Sequence, residues 1–108
     1  MLLAGISSHW RNPNDPQDQR TTVCLLTTAA NETMKPIHHR MPVIIEEFDI
    51  EHWLTAEKND AEEELRGMLA PAGNDVVENR VVSIAVNNAR NEGERLLEPV
   101  DETPTTLF

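Results

Sequence analysis

The chain has 108 residues and a formal net charge of −10, with 9 Lys and Arg against 19 Asp and Glu. This length allows one domain of ordinary size but not two, and the acidic balance argues against binding nucleic acid through bulk charge alone. Cys24 is the single cysteine, so no internal disulfide can form, and the apolar stretches, about five residues at most, are far shorter than the ~18–20 needed to cross a bilayer. We therefore expect a cytosolic protein that does not span a membrane.

The first half of the chain predicts strands. Residues 1–6 are apolar, which is more typical of the middle of a domain than of its beginning. Residues 7–19 are rich in Pro, Asn and Asp and predict a linking loop. Residues 22–27 predict a strand buried on both sides, which would make Cys24 a small buried hydrophobic residue. Residues 41–45 form a third apolar run and predict a strand that begins at a proline.

The second half predicts two short helices and a last strand. Ile50, Trp53 and Leu54 fall at helical spacing on one face. Asp-Ala-Glu-Glu at 60–63 resembles a capping box and predicts the start of a second helix. The apolar face of that helix would carry Ala61, Leu65, Met68 and Leu69. Residues 81–86 alternate apolar side chains and predict a strand. The proline-containing end predicts a flexible tail over residues 101–108.

These elements together predict an α+β fold with a mixed, mainly antiparallel sheet and two short helices. The sequence has no glycine-rich turn between a strand and a helix. This absence argues against a doubly wound sheet that binds a nucleotide.

Residues 46–64, which overlap both predicted helices, contain one lysine and nine acidic residues. They are Glu46, Glu47, Asp49, Glu51, Glu57, Asp60, Glu62, Glu63 and Glu64. One interpretation is the solvated face of two amphipathic helices, and the other is an acidic surface that docks a basic partner. The run lacks the spacing of a calcium loop.

The motif His-His-Arg at 38–40 places titratable groups between a loop and a strand. Histidine suits general acid–base chemistry near neutral pH, although ordinary loop histidines fit the same pattern. A metal site would need further ligands, and neither His9 nor His52 stands at a recognised spacing. Cys24 could in principle pair with His38 as a nucleophile, but a core position suits it better. We therefore predict no metal and no cofactor.

Several motifs resemble one known family. Thr-Thr-Ala-Ala-Asn at 27–31, Ile-His-His-Arg-Met-Pro at 37–42 and Trp-Leu at 53–54 are similar to the second half of the SOS response-associated peptidase (SRAP) domain. Ala-Gly-Ile at 4–6, with Trp10, resembles a strand of the same domain, and two further matches lie at 86–93 and 97–100. The resemblance implies that residues 1–100 form the C-terminal portion of an SRAP-like domain.

The resemblance also implies a function. SRAP proteins, also called abasic site processing proteins, recognise abasic sites in single-stranded DNA. An N-terminal cysteine, exposed by autocatalytic removal of the preceding residues, closes a thiazolidine with the ring-opened sugar and so cross-links protein to DNA. By position, His38 would be the catalytic histidine, and the Thr27 hydroxyl would bind a DNA phosphate. Arg40 would either pair with a neighbouring carboxylate or hold phosphate, whereas His39 receives no role.

The sequence departs from the family at its start. It begins Met-Leu-Leu where the family begins Met-Cys-Gly-Arg, and Cys24 is internal, so it has no α-amine with which to close a thiazolidine. We therefore expect a C-terminal portion of an abasic site processing protein that is inactive alone. It would meet single-stranded DNA only together with a complementing N-terminal half. The alternative is a non-catalytic acidic module that binds proteins and reuses half of the fold.

Overall fold

The computed structural model describes residues 1–56 and 62–100 and confirms an α+β fold built from short antiparallel strands and two short helices. The strands are β1 (Leu2–Leu3), β2 (Gly5–Asn12), β3 (Asp15–Leu25), β4 (Thr27–Ala29), β5 (Arg40–Pro42) and β6 (Ile44–Ile45). The helices are α1 (Ile50–Thr55) and α2 (Glu62–Met68). The chain forms two compact units, Met1–Val77 and Glu78–Phe108.

Three two-stranded antiparallel ladders meet at one junction in the first unit. The ladders pair β1 with β6, β2 with β3 and β4 with β5. Each run of strand changes partner at a single residue: Ala4, Leu26 or Val43. The amide of Ala4 donates to Val43 O (2.8 Å), that of Leu26 to Ala4 O (3.0 Å) and that of Val43 to Leu26 O (2.9 Å). These three bonds form a closed ring. They give hydrogen-bond partners to backbone groups that would otherwise be unpaired where the ladders end.

The core lies at this junction. Ala4, Val43 and Ile45 are buried there. Partly buried side chains from both helices pack against them, namely Ile50, Trp53, Met68 and Leu69. The helical periodicity predicted these four residues on inward faces, and that prediction is confirmed. The prediction for Leu54 is wrong, because its side chain is 75% exposed. Residues 60 and 61 of the predicted capping box lie outside the described residues, whereas Glu62 and Glu63 stand in the first turn of α2.

The predicted loop over residues 7–19 is instead most of a β-hairpin. β2 and β3 pair continuously from Gly5 opposite Leu25 to Arg11 opposite Gln19. The turn follows directly, and the backbone amide of Asn14 donates to the side-chain oxygen of Asn12 (2.9 Å). Turn residues therefore occupy only the tip. The strands were missed because polar side chains on both faces hide the alternation on which strand prediction depends.

Burial of residues 22–27 is also wrongly predicted. Cys24 is exposed, and so are Val23 and Leu25, at 72% and 57%. These residues lie on opposite faces of the hairpin, and both faces meet solvent in the described part of the chain. Cys24 is therefore a strand residue, as predicted, but not a core residue.

The second unit replaces the predicted last strand with tight helical turns. Residues 84–87 form a 3₁₀ helix, and the Ser83 hydroxyl accepts from the amide of Ala85 (3.2 Å) at its start. Strand pairing shrinks to a single bridge between Val82 and Pro99. The serine cap turns the chain, which the apolar alternation alone could not indicate. The predicted tail over residues 101–108 lies outside the described residues.

Replacing Ala4 with valine should lower the free energy of unfolding by about 1–3 kcal/mol, because the added methyl groups overfill the junction. Ala4 is only 1% exposed there. Urea denaturation measures the change. Ala29→Val is the matched control, since Ala29 is an exposed strand residue and should change stability by no more than about 0.5 kcal/mol. If both variants lost the same free energy of unfolding, the junction would not be the packed centre of the protein.

Candidate functional site

Strands β4 and β5 bring Thr27 and Arg40 onto one face. Their register sets Thr27 opposite Pro42 and Ala29 opposite Arg40. Thr27 and Arg40 are therefore diagonal neighbours, a separation that a long side chain can cross. The sequence separates these two residues widely, and the antiparallel pairing brings them together.

The guanidinium of Arg40 binds Thr27. Its Nη2 donates to the carbonyl oxygen (2.7 Å) and to the hydroxyl Oγ1 (3.0 Å) of Thr27, and its Nε also donates to Oγ1 (3.3 Å). The expected structural partner of Arg40 was a carboxylate. That expectation is wrong: among the described residues, the salt bridges do not include Arg40. The planar guanidinium suits this fork-like contact, which a lysine could not reproduce.

His38 stands at the end of a helical turn that leads into β5. Its amide donates to Met34 O (3.0 Å), which fixes the backbone just before the strand. The ring is exposed, and its Nδ1 accepts from the backbone N–H of Arg40 (3.0 Å). The ring of His39 stacks on it, with centroids 4.4 Å apart and planes inclined by 22°. One nitrogen of His38 is thus held by the protein.

Asn31 anchors the turn that carries His38, and sequence reasoning assigned it no role. This residue is 7% exposed. Its side-chain amide donates to Ala72 O (3.0 Å) and Gly73 O (3.2 Å), while its Oδ1 accepts from the amide of Met34 (3.0 Å). Asn31 therefore ties the turn to a distant loop. The available signal was an asparagine placed where a strand motif meets a turn.

The other predicted candidates lie elsewhere. His9 pairs within the hairpin, with Nδ1 3.2 Å from Thr21 Oγ1 and Nε2 3.0 Å from Gln19 Oε1. His52 Nε2 lies 3.4 Å from Glu64 Oε2, between the two helices. Within residues 1–56 and 62–100, three or more potential metal ligands do not cluster anywhere.

The acidic run is a solvated surface in the part the structure describes. Its residues on α2 are exposed, and Glu62 pairs with Arg66 one turn later on the same helix. By contrast, His38, His39 and Arg40 form a short segment without a carboxylate. Glu32, the nearest acidic residue before it in sequence, is paired with Lys35. The segment is a locally basic, donor-rich feature in an acidic chain.

The geometry defines what this site can do. An exposed imidazole can exchange protons through Nε2, and a threonine hydroxyl that accepts from arginine keeps its own O–H free to donate. In the second unit, the side-chain oxygen of Asn88 accepts from the amide of Arg90 (3.0 Å). The described helices are all too short or too polar to cross a membrane.

Comparison with known proteins identifies the class. The family described as SOS response associated peptidase (SRAP) matches residues 1–89. A crystal structure of a Bacteroides thetaiotaomicron protein superposes with a TM-score of 0.75 at 22% identity, covering 91% of this chain and 42% of that one, which supports the fold. This chain belongs to the SRAP family.

The curated relatives share one name. The abasic site processing protein YoqW of Bacillus subtilis is 35% identical over 96 residues, which is 89% of this chain and 42% of the relative. YoaM of the same organism is 39% identical over 77 residues, which is 71% of this chain and 34% of the relative. The orangutan (Pongo abelii) protein HMCES is 32% identical over 102 residues, which is 94% of this chain and 28% of the relative. The chain thus spans less than half the length of these relatives.

Proposed function

We propose that this chain contributes the histidine-bearing part of an abasic site processing protein, in which His38, Thr27 and Arg40 face single-stranded DNA. The observation that carries the proposal is the position of Arg40, whose side chain binds the exposed Thr27 and whose backbone lies within hydrogen-bond distance of the exposed His38 ring. Its relatives bear the name abasic site processing protein. Shared ancestry with these proteins makes DNA the natural ligand for the cluster.

Thr27 and Arg40 would hold a phosphate next to the abasic site. Arg40 donates to Thr27 Oγ1 at 3.0 Å, so the hydroxyl hydrogen points away from the guanidinium and is available to a phosphate oxygen. Arg40 Nη1 makes no hydrogen bond to the described residues and can approach the same phosphate. The arginine would therefore orient Thr27 and add positive charge next to the phosphate.

His38 would move protons during cross-linking. An α-amine adds to the ring-opened sugar aldehyde to give a carbinolamine, which loses water to give an imine. A thiol then adds across the imine and closes the thiazolidine, so that one water leaves overall. The departing hydroxyl needs a proton and the thiol must lose one. An exposed imidazole that can protonate and deprotonate at one nitrogen meets both needs.

The thiol and α-amine must come from another segment, because Cys24 is internal. We propose that the complementing segment is the part of an SRAP domain that this chain does not match. The hairpin formed by β2 and β3 offers unpaired strand edges and exposed apolar side chains, Val23 and Leu25 among them. Such edges favour addition of further strands.

The test uses a labelled single-stranded oligonucleotide with one abasic site. The chain alone should form no adduct that survives a denaturing gel. Co-expression with the portion of YoqW outside the matched region should produce an adduct, whereas an oligonucleotide without the abasic site should not react. YoqW reassembled from its own two portions is the positive control. An adduct with the chain alone, or failure with a working control, would overturn the proposal.

Arg40→Ala should weaken DNA binding and flatten its salt dependence. Loss of one phosphate contact on single-stranded DNA lowers the slope of log K against log salt by about 0.7. Fluorescence anisotropy of the complemented protein at several salt concentrations measures this. Arg66→Ala is the matched control, because Arg66 pairs with Glu62 on α2 and should leave the slope unchanged. An unchanged slope in Arg40→Ala would show that Arg40 does not contact a DNA phosphate.

A further inference from the structure

We propose that the backbone N–H and carbonyl of Arg40 hold the Nδ1 side of the His38 ring and leave Nε2 as the nitrogen that exchanges protons with the reactants. Both polar atoms of Arg40's own backbone lie within hydrogen-bond distance of His38 Nδ1, the N–H nitrogen at 3.0 Å and the carbonyl oxygen at 3.1 Å. The mechanistic use of this arrangement rests on the proposed function. The arrangement itself can be tested without DNA.

The strand register explains why these backbone groups are free to hold the ring. The amide of Ala30 donates to His39 O (3.0 Å), which makes Ala29 and Arg40 a pair that does not exchange hydrogen bonds. In such a pair, the N–H and C=O of Arg40 point away from β4, towards the open side of β5. The ring of His38, two residues earlier, occupies that side and supplies the missing partner.

One backbone unit can therefore serve His38 in each protonation state. In the neutral form with its proton on Nε2, the ring accepts the Arg40 N–H at Nδ1. When Nδ1 takes a proton from solvent, the imidazolium donates from Nδ1 to the Arg40 carbonyl. The imidazolium can then release the Nε2 proton to a departing hydroxyl and recover one from a thiol, while Nδ1–H stays on the carbonyl. The ring does not need to flip between steps.

The remaining neighbours of the ring leave Nε2 open. His39 touches it through stacked ring faces, which leaves the in-plane nitrogens accessible. The Arg40 guanidinium is directed at Thr27 instead of the ring. Among the described residues, the ring of His38 stacks on His39, and the hydrogen-bond contacts of its Nδ1 are to the backbone of Arg40 alone.

Amide hydrogen exchange on the full chain tests the proposal. At a pH where His38 is neutral, His38→Ala should speed exchange of the Arg40 amide by about fivefold, the effect of removing one ordinary hydrogen bond. His39→Ala is the matched control and should leave that amide unchanged. Equal exchange in the wild-type chain and the His38→Ala variant would overturn the proposal.

Nitrogen NMR of protein labelled at histidine measures the tautomer of each ring, a property that a merely structural role of His38 would not fix. The neutral His38 ring should show an unprotonated Nδ1 and a protonated Nε2, more completely than the exposed His39 ring. Protection of the Arg40 amide should disappear as His38 becomes protonated, after correction for the intrinsic rate. Arg40→Ala keeps the peptide and should preserve the tautomer. A tautomer mixture equal to that of His39 would refute the assignment, whatever the outcome with DNA.

Discussion

Asn31→Ala should lower the free energy of unfolding by about 2–4 kcal/mol, because three hydrogen bonds between a buried side-chain amide and its backbone partners are lost together. Those partners are the carbonyls of Ala72 and Gly73 and the amide of Met34. Since the turn carries His38, the same variant should also broaden the NMR signals of that ring. Urea denaturation gives the stability change.

Asn74→Ala provides the comparison for that result. Asn74 is exposed, and its side-chain oxygen accepts a single hydrogen bond, from the amide of Glu32 (2.9 Å). Its replacement should cost no more than about 1 kcal/mol. If Asn31→Ala were as mild as Asn74→Ala, Asn31 would not be the anchor that the geometry indicates.

His38→Gln should slow formation of the DNA adduct by the complemented protein by about 10²–10⁴-fold, the usual contribution of a positioned general acid or base. Glutamine can still form hydrogen bonds but cannot shuttle protons. The expected loss is in the rate of adduct formation at saturating DNA, because the phosphate contacts of Thr27 and Arg40 remain. Single-turnover gel assays separate this rate from DNA affinity.

His39→Gln separates the two members of the histidine pair. His39 stacks on its neighbour through ring faces, and its own side chain makes no hydrogen bond to the described residues. This variant should keep most of the rate. If both variants lost the rate equally, the site would depend on the stacked pair as a unit and the assignment of His38 alone would be wrong.

The helical spacing predicted the inward face of both helices correctly, except at Leu54. Ile50, Trp53 and Met68 pack on the core, as their helical spacing predicts. Arg40 contacts Thr27 through its side chain and His38 through its backbone, and the roles of these three residues toward DNA remain predictions. The contact between Arg40 and Thr27 could not be predicted, because it depends on strand register, and register follows from pairing partners distant in the sequence.

The errors concern segments whose environment the local sequence does not encode. Cys24 lies in an apolar stretch that is typical of a core strand, yet its hairpin is uncovered in the described part of the chain. Residues 7–11 are polar apart from Trp10, yet they belong to a long strand, because backbone hydrogen bonds to β3 are enough to hold it. Periodicity measures amphipathicity, so a strand exposed on both faces leaves no periodic signal.

The ring of hydrogen bonds among Ala4, Leu26 and Val43 links the ladder of β4 and β5 to the other two ladders. If one of the three runs of strand slid along its partners, two of the three bonds would break, so the three registers are coupled to one another. The run that contains β1 thus supports, through Ala4, the alignment that places Arg40 across from Ala29. Substitutions in β1, remote from His38, should therefore disturb the pairing of β4 with β5 as well as lower stability.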